Sequence, residues 1–168
     1  VHEVIPLGAD TRVFRPAPSY DPHHLVHVGS LNRVKDQDLL LRGVAEHLTT
    51  APDTRLTMVG ADTLDGHHRR LAHELGIADR VAFTGWLPPA EVSAVMRTAA
   101  WHLLTSHHDA GPLAVVEAAA CGVPTVGTPV GHVADWSARP VPAAITIDRR
   151  SPAGVAQALA HAASPGVR

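Results

Sequence analysis

Two carboxylates, Asp109 and Glu117, stand on either side of a sequence that predicts the start of a helix. The helix is expected to begin at Pro112, because proline suits the first helical position, where its missing N–H group costs nothing. The free N–H groups that follow, together with the helix dipole, favour an anion at that end. Glu117 can reach back toward it, because Cα–Cβ bonds tilt toward the N-terminus of a helix. The segment therefore predicts an anion site flanked by two carboxylates.

The ordinary alternative is that Asp109 caps the helix and that Glu117 is a solvated helix residue. Glu117, however, stands between two valines and a run of three alanines. A glutamate among apolar neighbours is almost never fully buried without a partner. We therefore favour a binding role for the two carboxylates.

A second segment, residues 29–35 with the sequence GSLNRVK, carries two cations directly after an apolar stretch. At the carboxyl end of a strand, Arg33 could bind a diphosphate as a planar fork and Lys35 as a point charge. Taken alone, the segment would be interpreted as a surface loop with solvated cations. Beside the acidic segment it becomes a candidate phosphate site.

Strand and helix patterns alternate along most of the chain, and the short apolar runs end in glycine or small polar residues. This alternation predicts an α/β fold with a Rossmann-like, doubly wound parallel sheet, because parallel neighbours need helical crossovers. Ligands of such sheets bind beyond the carboxyl ends of the strands. The candidate site is therefore formed by the loops after Val28, Val59, Thr84, Leu104 and Val126. The predicted strands cover residues 25–28, 55–59, 81–84, 101–104, 123–126 and 143–147, and the predicted helices cover residues 36–49, 64–75, 89–99, 112–120 and 152–163.

The composition is that of one globular domain of 168 residues. A net charge of −2 with neutral histidines gives no sign of a nucleic-acid partner. No apolar run approaches the roughly 20 residues of a membrane span, and no signal peptide is recognisable, so a cytoplasmic location is expected. The single cysteine, Cys121, excludes an internal disulfide and is interpreted as a small packed side chain. Because the chain begins at Val1 and not at methionine, we interpret it as a domain of a longer protein, with residues 1–20 as an interdomain junction.

Other residues with metal-binding or acid–base chemistry receive structural interpretations. Residues 36–38 (DQD) match an Asp-x-Asp metal-binding pattern, but they open a helix, where the dipole favours acidic residues. No metal site is therefore predicted. The 13 histidines occur as scattered pairs and not on one helix face. His102, His107 and His108, near the candidate site, are interpreted as polar loop positions.

Taken in order, these segments resemble the C-terminal, donor-binding half of glycosyltransferase family four, also called group 1. Members of that family have two Rossmann-like domains in the GT-B arrangement. The resemblance extends over nearly the whole chain and implies that residues 1–168 form the nucleotide-sugar-binding domain of a two-domain enzyme. It is carried by residues 4–10 and 14–16, by residues 28–31 (VGSL) with Lys35, by residues 75–85, by the spacing of residues 109–117 (DAGPLAVVE), and by residues 118–124 (AAACGVP) and 130–131.

The resemblance implies a role for each segment. Glu117 would hold the ribose hydroxyls and Asp109 the hydroxyls of the donor sugar, and both become candidate catalytic residues. The backbone between them would hold the sugar and the phosphates, and the early loop would grip the diphosphate. The donor- and phosphate-binding residues implied are Gly29, Ser30, Arg33, Lys35, Ala110, Gly111, Pro112 and Leu113.

Two positions depart from the family pattern. Ser30 stands where the family has an arginine, so Arg33 is a candidate substitute, while Lys35 is in register with the family lysine. Asp109 stands where the family has the longer glutamate. The donor sugar and the nucleotide base, whether that of UDP, GDP or ADP, stay open.

The function implied by the resemblance is a retaining, hexosyltransferase-like reaction, from a nucleoside diphosphate sugar to an acceptor held by a missing N-terminal domain. The isolated domain would bind the donor without turnover, need no metal or other cofactor, and touch a membrane only through that missing domain. Two alternatives are a sugar-nucleotide epimerase domain of the same architecture and a non-catalytic doubly wound binding module. A dinucleotide oxidoreductase is disfavoured, because no G-x-G-x-x-G follows the first strand.

Overall fold

The computed structural model describes residues 8–139, 143–164 and 166–167. Within these ranges the chain alternates between strands and helices, as the sequence pattern predicts. None of the helices in these ranges has the length and apolar character of a membrane crossing. The strands are β1 (Asp21–Val28), β2 (Arg55–Val59), β3 (Val81–Gly85), β4 (Ala99–Leu104), β5 (Thr125–Gly127) and β6 (Ala144–Thr146). The helices are α1 (Gln37–Leu48), α2 (His67–Glu74), α3 (Pro89–Met96), α4 (Leu113–Ala120), α5 (His132–Ser137) and α6 (Pro152–Ala162).

The strands form one parallel sheet in the order β3-β2-β1-β4-β5-β6, which confirms the predicted doubly wound fold. The chain runs outward from β1 through β2 to β3 and then crosses back, placing β4 on the other side of β1. The strand order thus reverses between β1 and β4. In doubly wound sheets the ligand binds at this switch point, beyond the carboxyl ends of the two strands.

Helices cover both faces of the sheet. On one face α1, α2 and α6 share an apolar core with side chains of β1 and β2, and on the other face α3 and α4 pack together. Every residue of β4 is buried, as expected for a central strand of a covered parallel sheet. Helices α1 and α6 pack closely at Gly43, where an added Cβ atom would lie 2.3 Å from Cβ of Val155. This packing fixes the two strands whose ends form the switch point.

Of the predicted junction, residues 1–7 lie outside the described residues. The part that follows is packed against the domain. Phe14 is buried with residues of α3 and α4, and the Ser93 hydroxyl donates a hydrogen bond to the carbonyl of Val13 at 2.7 Å. Cys121 is buried in the same cluster, which confirms its interpretation as a packed side chain.

Several predicted boundaries were wrong by a few residues. Helix α2 begins at His67 and not at residue 64, because Asp62 accepts hydrogen bonds from the N–H groups of Leu64 and Gly66, at 2.8 and 2.7 Å, and holds a turn. Strand β4 begins two residues earlier than predicted. Helix α5 was not predicted, since it has only six residues and buries Val133 alone, too little for a helical pattern.

Candidate functional site

The loop after β1 and the loop after β4 lie side by side at the switch point. The N–H group of His107 donates to the carbonyl of Val34 at 2.8 Å. The hydroxyl of Thr105 donates to the carbonyls of Lys35 and Asp36, at 3.1 and 2.8 Å. The structure therefore brings together the cationic and acidic segments that the sequence analysis predicted to share a site.

Lys35 and Asp109 form a salt bridge across the two loops. Their side chains are 26% and 16% exposed, so the pair is partly withdrawn from solvent. Lys35 is also the single lysine of the chain. Charge pairs interact more strongly away from bulk water, because the effective dielectric constant is lower there. Any anion that binds the Lys35 ammonium must therefore compete with the Asp109 carboxylate.

The loop that carries Lys35 is held by the side chains of Asn32 and Asp36; the position of Asp36 at a helix start was predicted, and the role of Asn32 was not. Oδ1 of Asn32 accepts hydrogen bonds from the N–H groups of Val34 and Lys35, at 3.1 and 3.0 Å. Asp36 caps α1, with its Oδ1 accepting from Leu39 N at 3.3 Å, and has a left-handed backbone with a φ of 47°. These contacts fix the backbone on both sides of the lysine.

Arg150, at the start of the segment leading into α6, ties the same two loops together. Its guanidinium donates to Oδ2 of Asp36 at 2.6 Å, to the carbonyl of Thr105 at 2.9 Å and to that of Ser106 at 3.1 Å. The planar fork of arginine suits several acceptors at fixed positions. Arg150 is therefore a positioning residue, which the sequence indicated only by two adjacent arginines before a helix start.

Gln37 links the backbone of the loop after β1 to the sheet. The Gln37 amide is buried, donates to Nε2 of His27 at 3.1 Å and to the carbonyl of Ser30 at 3.0 Å, and accepts from Asn32 N at 3.2 Å. His27 bonds the Leu103 carbonyl through Nδ1 at 2.9 Å. Burial lowers the pKa of His27 to about 4, so the ring is neutral and Nε2 is free to accept.

His102 was interpreted as a polar loop position, and this was wrong. It lies inside β4, buried, with its ring stacked 6.5 Å from that of His27 and its Nδ1 3.2 Å from the Thr125 hydroxyl. Burial lowers the pKa of His102 to about 3. His102 is therefore a neutral residue of the covered sheet and does not belong to the loops beyond the strand ends.

The start of α4 differs by one residue from the prediction. Pro112 occupies the N-cap position, so the helix begins at Leu113, and Val115 N makes the first helical hydrogen bond to the Pro112 carbonyl at 3.0 Å. The acidic loop is closed by Gly131, whose φ is 48°. A Cβ atom there would lie 2.7 Å from Cδ of Pro112 and 2.8 Å from the carbonyl oxygen of Asp109, so a side chain is excluded.

Glu117 lies on α4, about 6 Å along the helix axis from Leu113 at 1.5 Å per residue. Its side chain is partly buried, and within the described ranges its carboxylate has no hydrogen-bond or ion-pair partner. Burial raises the pKa of Glu117 above its ordinary value, because the charged form is partly desolvated. Among the described residues, no hydrogen bond or ion pair links the Glu117 carboxylate to Lys35 or Asp109.

Three further predicted residues, Gly29, Ser30 and Arg33, lie on the loop after β1. The Gly29 and Ser30 backbones run along the neighbouring strand end, where a Cβ atom on Gly60 would lie 2.0 Å from the Gly29 carbonyl oxygen. Arg33 is exposed on the same loop. Trp86, directly after β3, has 71% of its surface exposed on this edge of the sheet. The sequence analysis did not assign this tryptophan, although it follows a strand-ending glycine.

The Asp-x-Asp pattern does not converge. The carboxylate of Asp36 contacts Arg150, whereas that of Asp38 contacts His67 on α2, with Oδ1 2.9 Å from Nε2. Gln37 between them is buried and forms hydrogen bonds with the backbone of the loop after β1. The side chains of residues 36–38 therefore contact three different parts of the structure and do not converge on one point.

Fold and site together define a doubly wound α/β domain with a lysine–aspartate pair and a helix N-terminus at its switch point. A family model described as "Glycosyl transferases group 1" matches residues 22–164. The chain belongs to this family, and its fold and length correspond to the C-terminal half of a GT-B glycosyltransferase. The resemblance identified from the sequence motifs is thereby confirmed.

Individual relatives agree with this assignment. The chain is 32% identical to a D-inositol 3-phosphate glycosyltransferase of Acidothermus cellulolyticus, over 98% of this chain and 41% of that protein. It matches the C-terminal domain of a glycosyl transferase group 1 family protein (LpcC) from Francisella tularensis with a TM-score of 0.78 and 18% identity, over 92% of this chain and 87% of that one. It also matches Anabaena HepE, in complex with UDP and glucose, with a TM-score of 0.74 and 18% identity, over 95% of this chain and 49% of that one. The chain thus spans about two fifths of the length of the curated relative.

Proposed function

We propose that this domain binds the nucleoside diphosphate sugar for a retaining, hexosyltransferase-like reaction, with the acceptor held by a second, N-terminal domain. The observation that carries the proposal is the Lys35–Asp109 pair at the switch point, beside the N-terminus of α4. It places a cation, a carboxylate and helix amides where a doubly wound sheet binds its ligand.

The leaving group of such a transfer is a nucleoside diphosphate, on which negative charge increases as the glycosidic bond breaks. Lys35 supplies a cation for that charge, and the N–H groups of Leu113 and Ala114 supply the dipole of a helix start. Preorganised donors of this kind stabilise developing charge without solvent reorganisation. Arg33, exposed on the same loop, is the second cation of residues 29–35.

The salt bridge gives Asp109 a role that depends on ligand binding. When the diphosphate takes the ammonium of Lys35, the Asp109 carboxylate loses its partner. A carboxylate accepts hydrogen bonds only, and the hydroxyl groups of a sugar are suitable donors. In this proposal the binding of the phosphates and the binding of the sugar are coupled, because the diphosphate takes Lys35 from Asp109 and so frees the carboxylate for the sugar hydroxyls.

Two relatives support a nucleotide sugar as the ligand. HepE, which shares the fold, is described in complex with UDP and glucose. The Acidothermus relative is a glycosyltransferase by name, and its similarity extends over nearly the whole chain. Since the chain spans 41% of that relative, the acceptor and the complete reaction belong to the proposal.

The proposal is tested by thermal unfolding of the chain with UDP, GDP, ADP and their sugar conjugates, each with and without EDTA. One nucleotide is expected to stabilise the chain by about 2.7 kcal/mol when present at about 100 times its dissociation constant. Stabilisation is expected to survive EDTA, because Lys35 and the α4 amides meet the phosphate charge. If no nucleotide raises the unfolding temperature, the proposal is wrong. A loss of affinity on chelation that magnesium restores would show that a metal takes part.

Replacing Glu117 with glutamine is expected to weaken nucleotide binding about tenfold, because hydrogen bonds from ribose hydroxyls to a charged acceptor exceed those to a neutral amide by roughly 1–1.5 kcal/mol. The fold is expected to gain stability at pH 7. Because burial raises the pKa of Glu117 in the folded state, the contribution of its carboxyl group to the stability of the fold is fully present below the unfolded pKa. That contribution is lost as pH rises through the folded pKa. The glutamine variant has no such loss.

Calorimetry with the preferred nucleotide and urea unfolding at pH 7 measure the two effects on the same preparation. Glu46, an acidic residue on α1, provides a matched control, since Glu46→Gln is expected to change neither quantity appreciably. Unchanged affinity in Glu117→Gln would remove this residue from the binding site, whatever happens to the stability.

A further inference from the structure

Three side chains from two helices converge beside the start of α1. Asp38 lies in the first turn of α1, and His67 and His68 open α2. Nε2 of His67 lies 2.9 Å from Oδ1 of Asp38, and Nε2 of His68 lies 3.2 Å from the same oxygen. One potential ligand atom from each of the three lies within 4.8 Å of the others. Two imidazoles therefore face a single carboxylate oxygen.

This set of atoms has the chemistry of a transition-metal site. Zinc binds imidazole nitrogen and carboxylate oxygen at about 2.0–2.2 Å, so neighbouring ligand atoms in a tetrahedral site lie about 3.3 Å apart. The two nitrogen–oxygen separations, 2.9 and 3.2 Å, are a few tenths of an ångström shorter. Three protein ligands leave a fourth position for water. Magnesium and calcium prefer all-oxygen ligands and fit this set poorly.

The packing of the two helices fixes the geometry before any metal binds. Leu40 and Leu41 of α1 share one buried core with Leu71 and Ala72 of α2. His68 is 1% exposed, so its ring is held by the surrounding core. Its Nε2 atom is the ring nitrogen that faces the Asp38 carboxylate, at 3.2 Å. Metal binding would therefore move mainly the side chains of Asp38 and His67, which are 40% and 45% exposed.

We propose that Asp38, His67 and His68 form a binding site for a zinc-like divalent cation that joins α1 to α2. The site is separate from the switch point, where Asp36 accepts a hydrogen bond from Arg150 and Lys35 forms a salt bridge with Asp109. Its occupancy stabilises the folded chain and is not required for nucleotide binding. The partner of Asp38 is thus a pair of histidines on the next helix and not the other acid of the Asp-x-Asp pattern.

Calorimetric titration of the tag-free chain with zinc chloride tests the proposal, with magnesium chloride as the comparison cation. We expect one zinc ion to bind and to raise the unfolding temperature, and magnesium to do neither. Asp38→Asn and His67→Gln each remove one of three ligands and are expected to weaken this binding at least about tenfold. Both positions are partly exposed, so the variants are expected to fold, which circular dichroism verifies.

His73→Gln is the matched control, because His73 lies exposed on the same helix but outside the cluster. The chain has 13 histidines, so this control separates the cluster from adventitious binding to surface imidazoles. The proposal is overturned if Asp38→Asn and His67→Gln bind zinc as tightly as the unmodified chain, or if His73→Gln weakens binding equally. Binding of the preferred nucleotide with and without zinc reports independently on the switch-point site.

Discussion

Replacement of Lys35 by methionine is expected to lower the affinity for the preferred nucleoside diphosphate about 100-fold, equivalent to about 2.8 kcal/mol. Methionine preserves much of the length and apolar character of the lysine side chain but carries no charge. The variant loses the attraction between ammonium and diphosphate, and it leaves Asp109 as an unpaired carboxylate beside the phosphates. Both effects weaken binding, because like charges repel most strongly where solvent is partly excluded.

Asp109→Asn provides the opposite test of the same salt bridge. Here Lys35 loses its partner, so the diphosphate no longer competes with a carboxylate for the ammonium. Affinity for the bare nucleoside diphosphate is expected to stay the same or rise. The additional affinity that the sugar gives to the conjugate is expected to fall, because an amide is a weaker acceptor for sugar hydroxyls than a carboxylate.

The single lysine offers a direct spectroscopic measurement of this exchange. Reductive methylation with ¹³C labels Lys35 and the terminal amine, and the lysine keeps its positive charge. Addition of the nucleotide is expected to shift the Lys35 methyl signal, as the ammonium passes from a carboxylate to a phosphate. The proposed site would be contradicted if Lys35→Met and the unmodified chain bound the nucleotide equally well. It would also be contradicted if the Lys35 methyl signal did not shift at saturating nucleotide.

The sheet and the location of its ligand site were predictable from the sequence, because they depend on local patterns. Short apolar runs that alternate with helical spacing specify parallel strands with crossovers, and Gly29 and Pro112 mark two strand-to-helix loops. Lys35 and Asp109 were therefore predicted to lie at the same edge of the sheet. For that prediction it was enough that each residue follows a predicted strand of a parallel sheet.

The contacts within the site were less predictable, because they depend on tertiary register. Lys35 and Asp109 are 74 positions apart, and Arg150 and Asp36 are 114 positions apart. No local pattern indicates which charged residues pair over such separations. His102 shows the same limitation, since a histidine inside a buried strand is decided by packing and by its contact with the Thr125 hydroxyl.

The isolated chain is expected to bind the preferred nucleotide and to transfer no sugar, whereas the same chain joined to an acceptor-binding domain is expected to be active. In a two-domain transferase the donor and acceptor meet in the cleft between the domains, and closure excludes water and completes the site. In the proposed function this chain supplies the wall with Lys35, Asp109 and Glu117. An acceptor must be held within about 3–3.5 Å of the reacting carbon, which requires the opposite wall.

Ligand-observed NMR and a transfer assay with labelled nucleotide sugar measure binding and turnover on the same preparations. Lys35→Met in the two-domain protein is the control, because it is expected to reduce turnover together with nucleotide binding. Glu46→Gln in the same protein is expected to leave both unchanged, since Glu46 lies on α1 away from the contacts of the site. Rapid transfer by the 168-residue chain alone would show that one domain holds both substrates, and the proposed division between donor and acceptor domains would then be wrong.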